Sequence, residues 1–319
     1  MEYSVEQYSP ALREQWDAFV RASRNGTFLF LRDYMDYHAD RFRDCSLVAR
    51  NGKGKIVALL PANADGETLK SHAGLTFGGW IGGYRDFDVI SLLQIQQEAD
   101  RFLTARGFRE LLYKPVPYIY SNGPSQEDLY MLFRHNAVRA VSQVSVALDL
   151  LTDAAPDAAM RRKTRQAVAE GLQVVESDDL ESFWRILSEL LSDRYGVRPV
   201  HSLEEITLLK KRFPDNIRLF AVLRHGAMLA GTLLYISGQV VHAQYIASGP
   251  EGKRLNALPL LFSTLILRSR QTGYRWFDFG TCNEDAGRYL NEGLARQKIS
   301  FGGRAVVYDT YLMPLTPRE

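Results

Sequence analysis

The order of apolar and polar residues predicts two successive series of helices and short strands. The first series contains two helices, three strands, one helix and one strand, at residues 10–22, 32–38, 46–50, 55–61, 68–75, 89–106 and 108–114. The helices have apolar residues at three- and four-residue steps, whereas the strands are short apolar runs bounded by turn sequences. Because Asn51-Gly52 and Asp65-Gly66 separate neighbouring strands, we expect the three strands to form an antiparallel meander.

The second series repeats this plan. Its elements are a helix, a strand, two helices, three strands, a helix and a strand, at residues 157–171, 172–176, 183–191, 203–213, 218–224, 228–237, 239–247, 257–271 and 274–279. Gly107 and Gly273 each stop the helix before the last strand of their series. Two copies of one plan indicate an internal duplication, with domains at residues 1–150 and 151–319. A final strand at residues 304–312 is able to complete either half.

The C-terminal part of the chain concentrates residues that are typical of a substrate site. Aromatic residues flank Asp278 in a predicted strand. The strand ends at Gly280, because glycine allows the backbone to depart from the regular strand conformation. A polar loop and a short helix with Tyr289 and Leu290 are expected next. Lys298 then follows as a lone ammonium group among apolar residues and glycines, which let a ligand approach the backbone. We therefore predict a substrate site in this stretch.

Composition narrows the class of protein. The 319 residues are 46% hydrophobic, which is enough for a large core, and 39 basic residues nearly balance 37 acidic ones. This balance does not favour DNA as a partner. Two cysteines provide neither a disulfide framework nor the ligand spacing of a metal site. The N-terminus lacks the pattern of a signal peptide, and no apolar run approaches the roughly 18 residues of a membrane span. We expect a soluble cytoplasmic protein.

The predicted order of elements resembles the GNAT (N-acetyltransferase) fold. The stretch from Asp278 to Gly302 reads Asp-Phe-Gly, a loop, Gly-x-Tyr-Leu-Asn-x-Gly-Leu, then Lys and Phe-Gly. Two copies of the fold with this stretch resemble the tandem GNAT family that includes the Fem-type peptidoglycan-bridge aminoacyltransferases, and in particular their bacterial GNAT-like acetyltransferase relatives. The basic helix from Lys163 and the stretch Asp193–Gly196 are similar to further family motifs. The resemblance implies an α+β fold of two tandem GNAT domains, with mixed, mostly antiparallel sheets flanked by helices.

The resemblance also implies roles for individual residues. Lys298 resembles the lysine of the acceptor and acyl channel, and Arg194 resembles the arginine that binds a phosphorylated acceptor. Arg165 lies on the basic helix that is close to donor or acceptor phosphates in the family. Two positions depart from the family pattern, because Gln297 replaces an aromatic residue and residues 114–117 lack an acidic group.

The phosphate-binding loop of GNAT proteins is absent in its strict form. The nearest substitute is the segment Gly249–Asn256, which precedes a helix whose N-terminal N–H groups are able to hold phosphate. Arg254, Leu255 and Asn256 are therefore the candidate residues for binding an acyl-CoA or acetyl-CoA donor. This assignment follows from analogy with the family.

The residues themselves suggest further candidates, each with an ordinary structural alternative. We predict three catalytic candidates: Lys298, Tyr289 and Asp278. An aspartate inside an aromatic strand needs a partner, so either a site or a structural ion pair explains it. The candidates for substrate binding are Arg194, Tyr195, Tyr245, Arg165, Trp80 and Arg32. For Trp80 the favoured alternative is an aromatic position in the core, and for the basic helix it is a solvated face. His242 is interpreted as an ordinary strand histidine.

These features predict an N-acyltransferase. It would move an acyl or acetyl group from a CoA-type donor to an amine of a small or cell-envelope-related acceptor. Such a reaction does not require an obvious base, since water is able to relay the proton. Two alternatives remain open: a non-catalytic GNAT-like protein that binds a ligand or partner, and an aminoacyl-tRNA-dependent aminoacyltransferase. The net charge of +2 does not favour the second.

Overall fold

The computed structural model describes residues 2–315, except for the side chain of Tyr195. The helices, in chain order, are α1 (Arg13–Ala22), α2 (Arg32–Met35), α3 (Val89–Thr104), α4 (Glu127–Arg134), α5 (Ala158–Ala169), α6 (Leu180–Tyr195), α7 (Leu203–Arg212), α8 (Pro250–Arg254), α9 (Ala257–Gln271) and α10 (Glu292–Ile299). The strands are β1 (Tyr3–Gln7), β2 (Leu47–Asn51), β3 (Ile56–Leu60), β4 (Asn63–Asp65), β5 (Thr68–Lys70), β6 (Ile81–Gly82), β7 (Glu110–Tyr113), β8 (Val138–Asp149), β9 (Gln173–Ser177), β10 (Ile217–Arg224), β11 (Ala227–Ser237), β12 (Val240–Ser248), β13 (Trp276–Thr281), β14 (Asn283–Glu284), β15 (Tyr289–Leu290) and β16 (Arg304–Pro314). Among these residues, no helix has the length and apolar character needed to cross a bilayer.

The described chain divides into two compact units. Unit 1 comprises residues 2–143, 285–288 and 307–315, and unit 2 comprises residues 144–284 and 289–306. Strands β8 and β16 therefore each contribute residues to both units. Each unit has its own hydrophobic core.

Unit 1 contains two groups of strands. In the first, β1, β2, β3 and β6 pair antiparallel in that order. In the second, β5 pairs antiparallel with β4 and parallel with β7, and β7 pairs antiparallel with the end of β16.

The predicted third strand over residues 68–75 is present only over residues 68–70, and it pairs with β4 across the predicted Asp65-Gly66 turn, not with β3. Pro61 has no N–H for a ladder and separates β3, the predicted second strand, from β4. Backbone pairing continues beyond it, because the Cys45 N–H donates to the Ala62 carbonyl and the Ala64 N–H donates to the Arg43 carbonyl.

Unit 2 is built on a six-strand order, β8-β13-β12-β11-β10-β9. Its described pairs are antiparallel except for β12 with β13. The predicted meander over β10, β11 and β12 is confirmed, and the left-handed residues His225, Gly226 and Gly238 form its two turns. Helices α5 and α9 cover one face of the sheet and form the core with it, whereas α6 packs against β11 and β12.

The two units share one local feature that the sequence predicted. Gly107 after α3 and Gly273 after α9 both have positive φ angles, 86° and 89°. In each case the next residue donates its N–H to a carbonyl of the last helical turn, Phe108 to Leu103 and Tyr274 to Ser269. This is the helix ending that glycine favours, and a strand follows each time. The predicted α+β class is confirmed.

Unit 1 buries an acid whose environment disfavours its charge. The Tyr113 hydroxyl donates to the Asp128 carboxyl group at 3.0 Å and accepts the Trp80 backbone N–H at 2.7 Å. Burial raises the pKa of Asp128 from 3.8 to about 7, although the bond from Tyr113 opposes this shift. Between these two pKa values, the folded unit therefore keeps a proton on Asp128 that the unfolded chain has released.

Replacing Asp128 by Asn should change the pH dependence of stability. Between about pH 4 and pH 7 the folded state holds more protons than the unfolded state, so this group makes wild-type stability fall as the pH rises. The introduced amide keeps an acceptor for Tyr113 but does not ionise. Urea denaturation at a series of pH values should show the Asp128→Asn variant gaining stability relative to wild type, on the order of a few kcal/mol by pH 8. A stability difference that does not vary with pH would contradict this assignment.

Candidate functional site

A row of polar side chains crosses one face of the unit 2 sheet. In the register, Ala147 of β8 lies opposite Asp278 of β13, and Asp278 lies opposite His242 of β12. Residues directly opposite each other share a face, and so do residues two apart on one strand. Ser145 therefore joins Asp278 and His242 on the same face. Phe277 and Phe279 belong to the core that the sheet forms with α9.

The Asp278 carboxylate is completely buried and collects hydrogen bonds from three elements of this row. The Ser145 hydroxyl and the Gly280 N–H donate to one oxygen, the latter at 3.1 Å. The other oxygen lies 2.8 Å from Nδ1 of His242. A charge out of water is costly unless it is hydrogen-bonded, so these donors make a buried carboxylate tolerable. Asp278 thereby joins β8, β13 and β12.

His242 presents its second ring nitrogen away from the carboxylate. Because Nδ1 faces Asp278, the neutral ring carries its proton on Nδ1 and keeps a lone pair on Nε2, an assignment made from the hydrogen-bond network. Among residues 2–315, Nε2 has no hydrogen-bond partner, and about 10% of the side chain is exposed. Gly280, with φ of 76°, lies beside the ring, and a Cβ there would come within 3.3 Å of it. Glycine therefore leaves space next to Nε2.

A β-bulge in β12 brings Tyr245 to the face of His242. A regular strand places residues three apart on opposite faces. In the pairing of β12 with β11, Tyr245 lies opposite Leu233 and His242 lies opposite Tyr235. The register shifts between these two pairs. The Tyr245 hydroxyl lies 2.6 Å from Nδ1 of His201. Tyr245 is therefore oriented by a neighbouring side chain on this same polar face.

Strands β12 and β13 pair over three residues only. Residues 240–242 of β12 pair with residues 276–278 of β13. Strand β12 then continues to Ser248, whereas Thr281 of β13 pairs with Ser145 of β8. The β13-facing edge of residues 243–248 thus has no strand partner in the described register. The buried Oε1 atom of Gln244, in the bulge, also lacks a hydrogen bond within the described chain. This edge can accept an extended ligand that carries amide groups.

The segment after β12 turns tightly into two helices. Gly249 precedes α8, and Gly252 packs against β11, where a Cβ would come within 2.5 Å of the Leu229 carbonyl oxygen. Asn256 has a left-handed backbone (φ 58°), and its amide reaches Gln166 of α5 at 3.4 Å. Of the predicted donor-binding residues, Arg254 is exposed, Asn256 is partly buried and Leu255 belongs to the core.

Four cations lie around this segment. Arg162 and Lys163 precede Gln166 by four and three residues, so they share its side of α5, and Lys253 and Arg254 end α8. We call these four residues the α5–α8 cation patch. In the described structure only Arg254 of the four has a carboxylate within ion-pair distance, Glu251 at 3.4 Å. The patch is therefore electrostatically suited to an anionic group.

Lys298 lies on α10, and its side chain reaches the end of β13. Its ammonium donates to the carbonyls of Gly280 and Thr281, at 2.9 and 2.8 Å, and also contacts the thiol of Cys282. Burial lowers its pKa, and Cys282 and Asp278 oppose that shift. An ammonium has three N–H groups, and three partners match them. Lys298 thus fixes the end of β13 next to Asp278.

Other predicted residues lie at the surface of unit 2. The predicted helix over Tyr289 and Leu290 is wrong, because these residues form β15 and the Asn291 side chain caps α10 immediately after them. Tyr289 is 58% exposed. Arg165 and Arg194 are also exposed, on α5 and α6. The side chain of Tyr195 lies outside the described residues.

The two predicted residues in unit 1 are enclosed. Arg32 has no exposed surface; its guanidinium lies over the rings of Tyr8 and Trp16, 3.3 and 4.2 Å from their centroids, and it pairs with Asp44. Trp80 is almost as deeply buried, and its indole N–H donates to Gln96 at 2.8 Å. The structure therefore gives both residues the interior contacts of a core.

Comparisons with known proteins agree with this architecture. Residues 157–289 match the family model described as acetyltransferase (GNAT) domain. The crystal structure of FemX is similar with a TM-score of 0.68 and 15% identity over 97% of each chain. The C-terminal domain of a putative lysylphosphatidylglycerol synthetase from Agrobacterium fabrum has a TM-score of 0.62 and 12% identity over 97% of this chain and 93% of that one.

A tandem GNAT protein from the clavulanic acid biosynthesis pathway also matches over the whole of both chains, with a TM-score of 0.53 and 13% identity. The chain therefore has the fold of these tandem proteins, and residues 157–289 form a GNAT acetyltransferase domain. No curated protein sequence matches it significantly. At these identities the solved structures establish the fold alone, and the acetyltransferase domain makes acyl transfer the class of activity. The matched domain includes β12, β13 and the segment between them.

The close packing of α8 on β11 makes Gly252 difficult to replace. Gly252→Ala would force a Cβ against the Leu229 carbonyl and the Ser248 hydroxyl, so we expect a loss of about 1–3 kcal/mol in the free energy of unfolding. Gly249→Ala is the matched control, because its Cβ would lie at an ordinary contact distance, 3.7 Å, from the Leu229 carbonyl oxygen. Urea denaturation of both variants checks this. Equal stability of the two would show that α8 is not tightly seated on β11.

Proposed function

We propose that this protein transfers an acyl group from a CoA thioester to an amine, using a donor site in unit 2. The observation that carries the proposal is the early end of the β12–β13 pairing, directly followed by the turn into α8 and the α5–α8 cation patch. The pantetheine arm of CoA is an extended chain with two amide groups. Such a chain suits the unpaired edge of residues 243–248 by strand addition.

The cation patch suits the other end of the same donor. CoA carries phosphates, and Arg162, Lys163, Lys253 and Arg254 offer charge where β12 leads into α8. The thioester would then lie towards the start of the unpaired edge, where β12 leaves β13 near Asp278. The predicted catalytic residues Asp278 and Lys298 take supporting roles in this proposal, since Lys298 fixes residues 280–281 and Asp278 orients its hydrogen-bond donors. Tyr289 remains a candidate for contact with the acceptor.

Acetyl-CoA binding tests the donor assignment. Acetyl-CoA at a hundred times its dissociation constant should raise the stability by roughly 2.7 kcal/mol, which a thermal-shift measurement detects. The double variant Lys163→Gln/Lys253→Gln should bind on the order of tenfold more weakly, because two charge-assisted phosphate contacts are lost. The matched control is Arg185→Gln/Lys211→Gln, which removes two exposed charges from α6 and α7. No shift with acetyl-CoA, or equal weakening by both pairs, would contradict the proposed site.

The second candidate is transfer from aminoacyl-tRNA. The observation that favours it is the same cation patch, which is also suited to an RNA backbone. The fold likeness to FemX and to the synthetase domain does not decide between donors. Binding of tRNA that weakens steeply with salt, together with no effect of acetyl-CoA, would favour this candidate. A third candidate, a non-catalytic binding protein, predicts binding without turnover.

Gln244 provides a separate prediction. Its buried amide oxygen lacks a partner in the described structure, and leaving such a group unsatisfied is costly. Replacing Gln244 by Met, which is similar in size and apolar, should leave the free protein equally stable or about 1 kcal/mol more stable. The same change should weaken acetyl-CoA binding, since a donor amide N–H loses its acceptor. Calorimetry of binding and urea denaturation check the two effects, and unchanged affinity would exclude this contact.

A further inference from the structure

We propose that His242 is the proton acceptor of the transfer reaction and that Asp278 and Ser145 hold it in the required state. This inference rests on the proposed acyl transfer, but the arrangement of the three residues is independent of the donor. The sequence pattern indicates a catalytic role for Asp278 and an ordinary strand position for His242. The register of three strands brings the two together.

The orientation of the His242 ring is fixed by its neighbours. Asp278 is buried, accepts from Ser145 and Gly280 on one oxygen, and faces Nδ1 of His242 with the other. A carboxylate at Nδ1 fixes the proton there and leaves the basic lone pair on Nε2. The same carboxylate stabilises the imidazolium that forms when Nε2 takes a proton, as in other histidine–aspartate pairs.

His242 is also the accessible member of the polar row. Ser145 and Asp278 have no exposed surface, whereas the His242 side chain keeps about a tenth of its surface open. Within residues 2–315 its Nε2 atom has no hydrogen-bond partner. Gly280 beside the ring has no side chain to fill that space. Among Ser145, Asp278 and His242, the accessible polar atom is therefore Nε2 of His242, and its lone pair is able to accept a proton.

The position of His242 matches the proposed donor site. His242 is the last residue of β12 that pairs with β13, so it lies where the unpaired edge begins. A thioester held along residues 243–248 would present its carbonyl next to this point. The acceptor amine would approach from the side of Nε2, within reach of the group that takes its proton.

The transfer needs no reactant besides the thioester and the amine. The neutral amine attacks the thioester carbonyl with its lone pair, so that a C–N bond forms and the carbonyl oxygen takes the π electrons. Nε2 of His242 then accepts one N–H proton and becomes imidazolium. When the tetrahedral intermediate collapses, the C=O bond re-forms and the C–S bond breaks with its electron pair on sulfur. The thiolate takes the proton from Nε2, which regenerates neutral His242 and yields amide and free thiol.

The tautomer is measured on the protein alone. In protein labelled with ¹⁵N-histidine, the signals of the neutral His242 ring should report a proton on Nδ1 and none on Nε2. Asp278→Asn should shift the ring towards the other tautomer, because the Asn amide N–H group is able to donate to Nδ1. His242→Gln identifies the signals by their loss. A proton on Nε2 in the wild-type neutral ring would overturn the proposal without affecting the donor assignment.

Turnover is measured with acetyl-CoA and a panel of primary amines. His242→Gln should lower the transfer rate about 100-fold or more while the dissociation constant for acetyl-CoA stays unchanged. The control His225→Gln, in the exposed β10–β11 turn, should keep the wild-type rate. Unchanged acetyl-CoA binding with an unchanged rate in His242→Gln would overturn the role of His242. Failure of acetyl-CoA to bind wild type would instead count against the proposed donor.

Discussion

The structure of unit 2 depends on one buried charge. The Asp278 carboxylate has no contact with solvent, so the chain must supply the hydrogen bonds that water would give. It does so from β8 through Ser145, from β12 through His242, and from its own strand through the Gly280 N–H. Each donor fixes a feature of the site: the neighbouring strand, the histidine ring and the turn at the end of β13. The buried ammonium group of Lys298 donates hydrogen bonds to the neighbouring carbonyls of Gly280 and Thr281.

A second constraint is the point at which β12 and β13 separate. Three paired residues are enough to align Asp278 with His242, and beyond them β12 keeps only its partner β11 in the described register. The bulge at Gln244 turns Tyr245 onto the polar face, and Gly252 lets α8 lie against β11 immediately after the strand. The backbone thus provides an unpaired edge and a tight turn in succession. Both are properties of main-chain geometry, so side-chain motifs report them poorly.

The sequence predicted most of unit 2 because its elements are long and regularly patterned. The meander, α9 and the strand around Asp278 follow from periodicity and from glycine turns such as His225-Gly226. The role of His242 was not predictable in the same way, since it requires the strand order β8-β13-β12, which no local pattern encodes. Strand β8 was missed although apolar residues alternate along its second half, at Val144, Val146 and Leu148, which is a usable signal.

Unit 1 was harder to predict because its strands are short and Pro61 divides an apolar stretch into two of them, β3 and β4. Arg32 and Trp80 illustrate a different difficulty. A charged or aromatic residue beside glycines suggests a binding surface, yet cation–π and hydrogen-bond partners elsewhere in the unit enclose both residues. Their partners, Tyr8 and Gln96, lie at sequence distances that a single sequence does not reveal. Burial of such residues therefore has to come from the structure.

We propose that the acyl donor lies along the unpaired edge of β12 and the turn that follows it. Hydrogen–deuterium exchange with and without saturating acetyl-CoA tests this most directly. We expect acetyl-CoA to slow exchange in residues 243–254, because the donor supplies hydrogen bonds to an edge that has no strand partner in the described register. Slowed exchange confined to strands β1–β3 of unit 1, or no change in residues 243–254, would contradict the account.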